Sequence, residues 1–96
     1  MRILLPGEVR GRRVQCYSEL EKDGDFYFEF DENKKPISFT FAIPDKKGGN
    51  CKIYFLPGGW QIEGSLNTPS IVPSVWIDAK NNGWHGTITD GVFRRV

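Results

Sequence analysis

The sequence has almost no excess charge, since 13 lysines and arginines stand against 12 aspartates and glutamates. A net charge of +1 gives the chain no strong overall electrostatic field. Domains that bind nucleic acid strongly usually carry a clear excess of positive charge. Composition alone therefore argues against a strongly basic nucleic-acid-binding protein and against a protein drawn to anionic membranes.

Cysteine is also scarce, and the two that occur, Cys16 and Cys51, are far apart in the sequence. Two cysteines are too few for a disulfide framework or a four-ligand zinc site. Both fall at apolar-alternating positions, so we expect buried and unreactive thiols. The chain contains no apolar run long enough to span a membrane, and Met1–Leu5 is too short for a signal peptide. These features predict a cytoplasmic protein with reduced cysteines.

Aromatic residues, by contrast, are abundant, at 14% of the 96 residues. Aromatic and β-branched side chains favour strands over helices. Each candidate element is a short alternating run bounded by Gly, Pro, Asn or Asp, which is typical of a sandwich, a roll or a partly open barrel. The sequence therefore predicts one all-β domain over residues 1–96, with about seven or eight short, mostly antiparallel strands and at most one helical turn.

Two segments near the middle of the chain show the alternation most clearly. Phe26, Phe28 and Phe30 alternate with polar residues, and Pro36 begins a second run in which Phe39 and Phe41 share a face. These two segments predict a hairpin. Upstream of it, residues 8–17 predict a single strand with Val9, Val14 and Cys16 as its apolar positions.

The stretch Ser70–Phe93 predicts three further antiparallel strands. Pairing Ile77 with Trp84, and Trp76 with His85, keeps the apolar residues on one face and the polar residues on the other. Asp90-Gly91 is typical of a type I′ turn, which would pair Thr87 with Arg94 and bring His85 close to Val96. We expect the buried face to pack against the central hairpin in one core of Ile77, Trp84, Ile88, Phe93, Phe28, Phe39 and Phe41.

The opposite face of this three-stranded region combines one aromatic ring with hydroxyls, an imidazole and a guanidinium. Such a composition is typical of a protein-binding surface with an aromatic anchor. The favoured interpretation is a non-enzymatic protein that binds a protein partner, with no catalytic residue, no metal and no cofactor. The predicted binding residues are Ser74, Trp76, His85, Thr87 and Arg94.

Two other functions fit parts of the sequence. In a hydrolase, His85 would be the general base for a nucleophilic Ser74 or Thr87, and an acid such as Asp78 would orient the imidazole. In a nucleic-acid-binding module, a basic patch beside an aromatic ring would contact single strands. That patch would consist of Arg10, Arg12, Arg13, Arg94 and Arg95.

A pattern in the last third of the chain resembles a family of small phage and prophage proteins known as a domain of unknown function, some of them labelled "phage ammonia monooxygenase". The pattern is Trp60, Gly64, Pro69-Ser70-Ile71, Pro73-Ser74-Val75 and the segment Gly83–Gly91. The resemblance implies a phage accessory protein that acts in the bacterial host cytoplasm, for instance as an inhibitor of a host factor. Many members carry cysteine and histidine zinc ligands, of which only Cys51 and His85 stand near matching positions here, so we predict no bound zinc.

Overall fold

A computed structural model describes residues 3–44, 49–77 and 83–96 of the chain. Its elements are the strands β1 (Glu8–Arg10), β2 (Arg12–Arg13), β3 (Asp25–Phe30), β4 (Pro36–Ala42), β5 (Asn50–Tyr54), β6 (Gln61–Gly64), β7 (Pro69–Ile77), β8 (Trp84–Thr89) and β9 (Val92–Arg95), with one short 3-10 helix at Tyr17–Glu19. The predicted all-β fold with at most one helical turn is therefore confirmed. The described residues form one strand more than the upper end of the expected number.

The strands form two open sheets. One has five strands in the order β1-β9-β8-β7-β6, and the other has four in the order β2-β3-β4-β5. Neighbouring strands are antiparallel except for β2 and β3, which run parallel. We refer to these as the five-stranded sheet and the four-stranded sheet.

The single strand predicted over residues 8–17 is wrong, and Gly11 explains the difference. The chain passes from one sheet to the other at this residue, whose N–H donates to the Gly91 carbonyl at 2.7 Å. A β-carbon on Gly11 would lie only 2.8 Å from the Phe93 ring, so the crossing depends on the missing side chain. After Arg13 the chain bends into the 3-10 helix, which leaves Cys16 exposed rather than buried as predicted.

The core lies between the sheets and draws on both of them. The predicted hairpin is confirmed, with Phe26 opposite Phe41 and Phe28 opposite Phe39. All seven residues expected in the core are buried there together with five others. Burial of so many aromatic rings supplies the main favourable term for folding. The additional buried members of the cluster are Phe26, Ile43, Ile53, Ile71 and Val75.

The register predicted for the last three strands is also confirmed. Trp76 lies opposite His85, and Ile77 lies opposite Trp84. Asp90 and Gly91 both have positive φ, at 49° and 76°, as a type I′ turn requires. The outward face of the five-stranded sheet therefore carries the side chains that the alternation placed there. No helix among the described residues is long and apolar enough to cross a membrane.

Candidate active site

Ser74 lies on an irregular part of β7, on the outward face of the five-stranded sheet. The register between β7 and β8 shifts between Ile71 and Val75, so the segment containing Ser74 forms a bulge. Pro73 has no backbone N–H to donate to the ladder, which is why the regular pairing breaks here. Bulges turn a side chain away from the regular direction of the strand and are common beside active sites. The Ser74 side chain is exposed at this point.

The bulge is supported by the indole of Trp60, the residue just before β6. The Nε1–H of Trp60 donates to the backbone carbonyl of Ser74 at 3.3 Å. Trp60 is partly buried and packs against the core from the sheet edge. Its contact with the Ser74 backbone therefore connects the position of the serine to the packed interior.

His85 on β8 reaches across to this serine. The distance between Ser74 Oγ and His85 Nε2 is 3.0 Å, which is within hydrogen-bond range. When the imidazole carries its proton on Nδ1, Nε2 accepts the hydrogen bond from the serine hydroxyl. A serine whose hydroxyl donates to a neutral imidazole has the arrangement of an activated nucleophile and its base.

The imidazole of His85 is also held by an aromatic neighbour. The Trp76 ring stacks on it with a centroid separation of 5.2 Å and an angle of 16° between the planes. Trp76 is 74% exposed, so it contributes little to the core. At the backbone, the His85 carbonyl accepts a hydrogen bond from the N–H of Val96 at 2.9 Å. The two residues are therefore close together, as predicted. The histidine is thus positioned by a ring on β7 and by the end of the chain.

The buried neighbours of His85 anchor β8 from the other side of the sheet. Trp84 is 1% exposed and contacts the rings of Phe41 and Phe93, with centroids at 5.7 Å and 6.4 Å. Gly86 leaves room for the Trp84 indole, because a β-carbon at this position would overlap the ring. The Trp-His-Gly sequence therefore places the tryptophan in the core and the histidine on the surface.

The remaining residues of the predicted surface lie beside the serine and histidine. Thr87 follows His85 on the same face of β8 and pairs with Arg94 of β9. Arg94 is exposed. Asp78, the predicted orienting acid, lies outside the described residues.

The arginines do not form the single patch required of a nucleic-acid-binding module. Arg12 and Arg13 lie on the four-stranded sheet, whereas the other three lie on the five-stranded sheet. Arg12 donates two hydrogen bonds to Asp25, and Arg13 donates one to Asn67 while its guanidinium lies over the Phe28 ring. The crossing at Gly11 separates the two groups. The prediction of an arginine patch is therefore wrong.

Cys51 and His85, the residues that the resemblance associated with zinc, lie on different sheets. His85 points outward, while Cys51 packs against the core of the molecule. Among residues 3–44, 49–77 and 83–96, no group of three or more His, Cys, Asp or Glu side chains is placed to hold a metal ion.

A serine hydroxyl hydrogen-bonded to a histidine is the arrangement of nucleophile and base that serine hydrolases use. A family model matches residues 13–96, and its description is "BubE: Bacterial ubiquitination-like system serine protease (BubE)". Because the match covers most of the chain, this protein belongs to the BubE family. Comparisons with curated proteins and with solved structures gave no match.

This finding corrects the resemblance and the function drawn from the sequence. The matching family is not the phage family of unknown function. It is described as a serine protease family, so the prediction of a non-enzymatic phage accessory protein is wrong. The hydrolase alternative names Ser74 or Thr87 with His85, but no nucleophile-elbow motif marks Ser74 in the sequence. Trp60 was missed because its contact with Ser74 depends on the pairing of β6 with β7.

Proposed function

We propose that this protein is a serine protease in which Ser74 is the nucleophile and His85 the general base, acting on a protein of a bacterial ubiquitination-like system. The observation that carries the proposal is the 3.0 Å contact between Ser74 Oγ and His85 Nε2 on an exposed face of the sheet. Membership of a serine protease family supports it independently. The substrate class follows from the description of that family.

In the first half of the reaction, Ser74 Oγ attacks the carbonyl carbon of the scissile bond. As the bond between Oγ and carbon forms, the hydroxyl proton moves to His85 Nε2, and the carbonyl electrons move to oxygen. The tetrahedral intermediate then breaks its carbon–nitrogen bond. His85 gives the proton to the departing amine, and Ser74 is left as an acyl ester.

In the second half, water replaces the amine. His85 Nε2 takes a proton from the water as its oxygen bonds to the acyl carbon, and it returns that proton to Ser74 Oγ as the ester bond breaks. The products are a carboxylic acid and the original serine. The histidine therefore transfers each proton at one nitrogen, the nitrogen that faces Ser74.

A base of this kind must be held in orientation by a third group. Besides its hydrogen bond to Ser74, the imidazole ring stacks on Trp76. We assign it as a positioning residue, because a stacked ring limits rotation of the imidazole. It also presents its negative face to the imidazolium that forms when Ser74 loses its proton.

We propose that the surface predicted to bind a protein partner binds the protein substrate. Ser74 and His85 carry out the chemistry, while the exposed ring of Trp76 gives the protein substrate an aromatic contact. We propose the bacterial cytoplasm as the place of action, in keeping with the bacterial family and with the free thiols of Cys16 and Cys51. The remaining members of this surface are Thr87 and Arg94.

A fluorophosphonate probe tests the assignment without knowledge of the natural substrate. The probe forms a bond between an activated serine oxygen and phosphorus with loss of fluoride, and intact-mass measurement followed by peptide mapping locates the adduct. We expect one adduct per chain, on Ser74. The variants Ser74→Ala and His85→Gln should lose at least about 100-fold in labelling rate, since general-base catalysis contributes at least that much.

Ser70→Ala is the matched control, because Ser70 lies on the same strand but bonds to Asp90 instead of a histidine. It should label at the rate of the unchanged protein. Thermal melting of each variant confirms that it is folded. An adduct on another serine, or labelling that persists in Ser74→Ala, would refute the proposal.

A further inference from the structure

A cleft of about 250 Å³ lies on the same sheet face as the serine–histidine pair. It runs across three neighbouring strands, from β8 over β9 to β1. It begins at Thr87, which lies two residues beyond His85 on the same face of β8. The residues that line the cleft are Glu8, Thr87, Thr89, Asp90, Val92 and Arg94.

The reaction of Ser74 and His85 determines on which side of the scissile bond this cleft lies. The histidine hands its proton to the departing amine, so the leaving segment of a substrate lies on the side of His85. From Ser74 on β7 that side is β8, and β9 with its Arg94 lies one strand further on. The opposite direction from Ser74 leads to β6 and away from the cleft.

The strand spacing sets how far along the substrate the cleft lies. Adjacent strands are about 4.8 Å apart, so β9 lies about 10 Å from β7. An extended peptide advances about 3.3 Å per residue. The second or third residue of the leaving segment therefore comes over Arg94.

Arg94 is the cationic residue of this cleft, which it shares with the carboxylates of Asp90 and of Glu8, its cross-strand neighbour on β1. Glu8 accepts a hydrogen bond from the N–H of Leu5 at 2.8 Å, and the Asp90 carboxylate lies 3.5 Å from the Ser70 hydroxyl. The Arg94 guanidinium makes no hydrogen bond or ion pair with any residue that the structure describes. A guanidinium in that position offers two parallel donors to a carboxylate.

We propose that the Arg94 cleft binds the leaving segment of the substrate and that Arg94 pairs with a carboxylate two or three residues beyond the scissile bond. This inference rests on the proposed function for its direction, since His85 defines the leaving side. The carboxylate belongs either to an acidic side chain or to the end of the substrate chain. Both present the same group to the guanidinium, and the test below separates them.

The test measures binding of short peptides that imitate the released segment, with a free amino terminus and three residues. The probes are Ala-Ala-Glu-amide, Ala-Ala-Gln-amide, Ala-Ala-Ala with a free carboxylate, and Ala-Ala-Ala-amide. Titration into isotope-labelled protein is followed through the backbone amide signals of β8 and β9. We expect the peptides with one carboxylate to bind about fivefold more tightly than their neutral counterparts, and the shifts to centre on Thr87 and Arg94.

Arg94→Gln should abolish this difference between charged and neutral peptides. Arg95→Gln is the control, since Arg95 carries the same charge one residue away on the opposite side of β9, and it should retain the difference. A preference for Ala-Ala-Glu-amide alone assigns a side-chain carboxylate, and a preference for the free Ala-Ala-Ala acid alone assigns a chain end. Equal binding of charged and neutral peptides, or a difference that persists in Arg94→Gln, overturns the proposal.

Binding of these peptides does not depend on catalysis, so the two proposals fail separately. The part of p-nitrophenyl acetate hydrolysis that is lost in Ser74→Ala, measured on the same samples, reports on the serine and not on the cleft. Selective binding with hydrolysis that is indifferent to Ser74→Ala would leave the cleft standing and reject the nucleophile. Hydrolysis that depends on Ser74, without selective binding of the peptides, would support the nucleophile and reject the cleft proposal.

Discussion

The imidazole of His85 lies nearly parallel to the indole of Trp76, with an angle of 16° between the rings and 5.2 Å between their centroids. Most tryptophans stabilise a protein by being buried, but this ring is 74% exposed. Its contact with the histidine therefore has little to do with the stability of the core. The ring lies instead against the imidazole whose nitrogen faces Ser74.

This relationship predicts a variant that folds normally and works poorly. Trp76→Ala should melt close to the unchanged protein, while its rate of serine labelling should fall by up to about tenfold, since stacked aromatic pairs contribute about 0.5–1.5 kcal/mol. Trp76→Phe keeps a ring face and should recover most of that rate. A labelling rate equal in Trp76→Ala and the unchanged protein would show that the ring does not position His85.

Trp84, eight residues further along the chain, should behave in the opposite way. It is 1% exposed and in contact with Phe41 and Phe93, so Trp84→Ala should lower the free energy of unfolding by about 3–5 kcal/mol. Chemical denaturation measures the loss, with Trp76→Ala as the exposed control. Similar unfolding curves for the two variants would contradict the assignment of the faces of the sheet.

Much of the five-stranded sheet was predictable because alternation and turn chemistry act locally. Asp90-Gly91 determines the turn, the turn determines the pairing of Thr87 with Arg94, and the alternation then separates Trp84 from His85. Each step depends on residues close together in the sequence. The hydrogen bond between Ser74 and His85 needs in addition the bulge at Pro73, whose exact register alternation does not define.

The start of the chain was not predictable in the same way. Gly11 lies between the apolar positions Val9 and Val14, and the position of the Phe93 ring shows why the strand must end there. The exposed position of Cys16 follows from the same break. The hydrolase was only an alternative interpretation of the sequence, because the alternation offers both Ser74 and Thr87 to His85, and the folded sheet shows that Ser74 makes the contact.

The two cysteines should differ sharply in reactivity. Burial raises the pKa of the Cys51 thiol to about 11, so almost none of it is thiolate near neutral pH. Cys16 is exposed on the surface. Alkylation with iodoacetamide at pH 8, followed by peptide mapping, should modify Cys16 in the folded protein and Cys51 only after denaturation. Equal labelling rates at the two positions in the folded state would contradict the burial of Cys51.

Asp25 is the buried carboxylate whose environment makes the fold sensitive to acid. It is 1% exposed and accepts two hydrogen bonds from Arg12, at 3.0 Å and 2.7 Å. The backbone N–H groups of Glu21 and Lys22 add two more, each at 2.9 Å. Burial by itself raises the pKa of this carboxyl, but the hydrogen bonds outweigh it and lower the pKa from 3.8 to about 2.

The sign of the effect on stability follows from that lowered pKa. The folded state holds the proton of Asp25 less tightly than the unfolded state, so the charged carboxylate stabilises the fold at every pH well above 4. That contribution, about 2 kcal/mol, should disappear as the pH falls from about 4 to 2. Asp25→Asn removes it at all pH values and should flatten the acid limb of a plot of unfolding free energy against pH. Glu63→Gln, which removes an exposed carboxylate on β6, is the control and should lose stability at low pH as the unchanged protein does. If Asp25→Asn also loses stability at low pH to the same extent, Asp25 is not the source of the acid sensitivity.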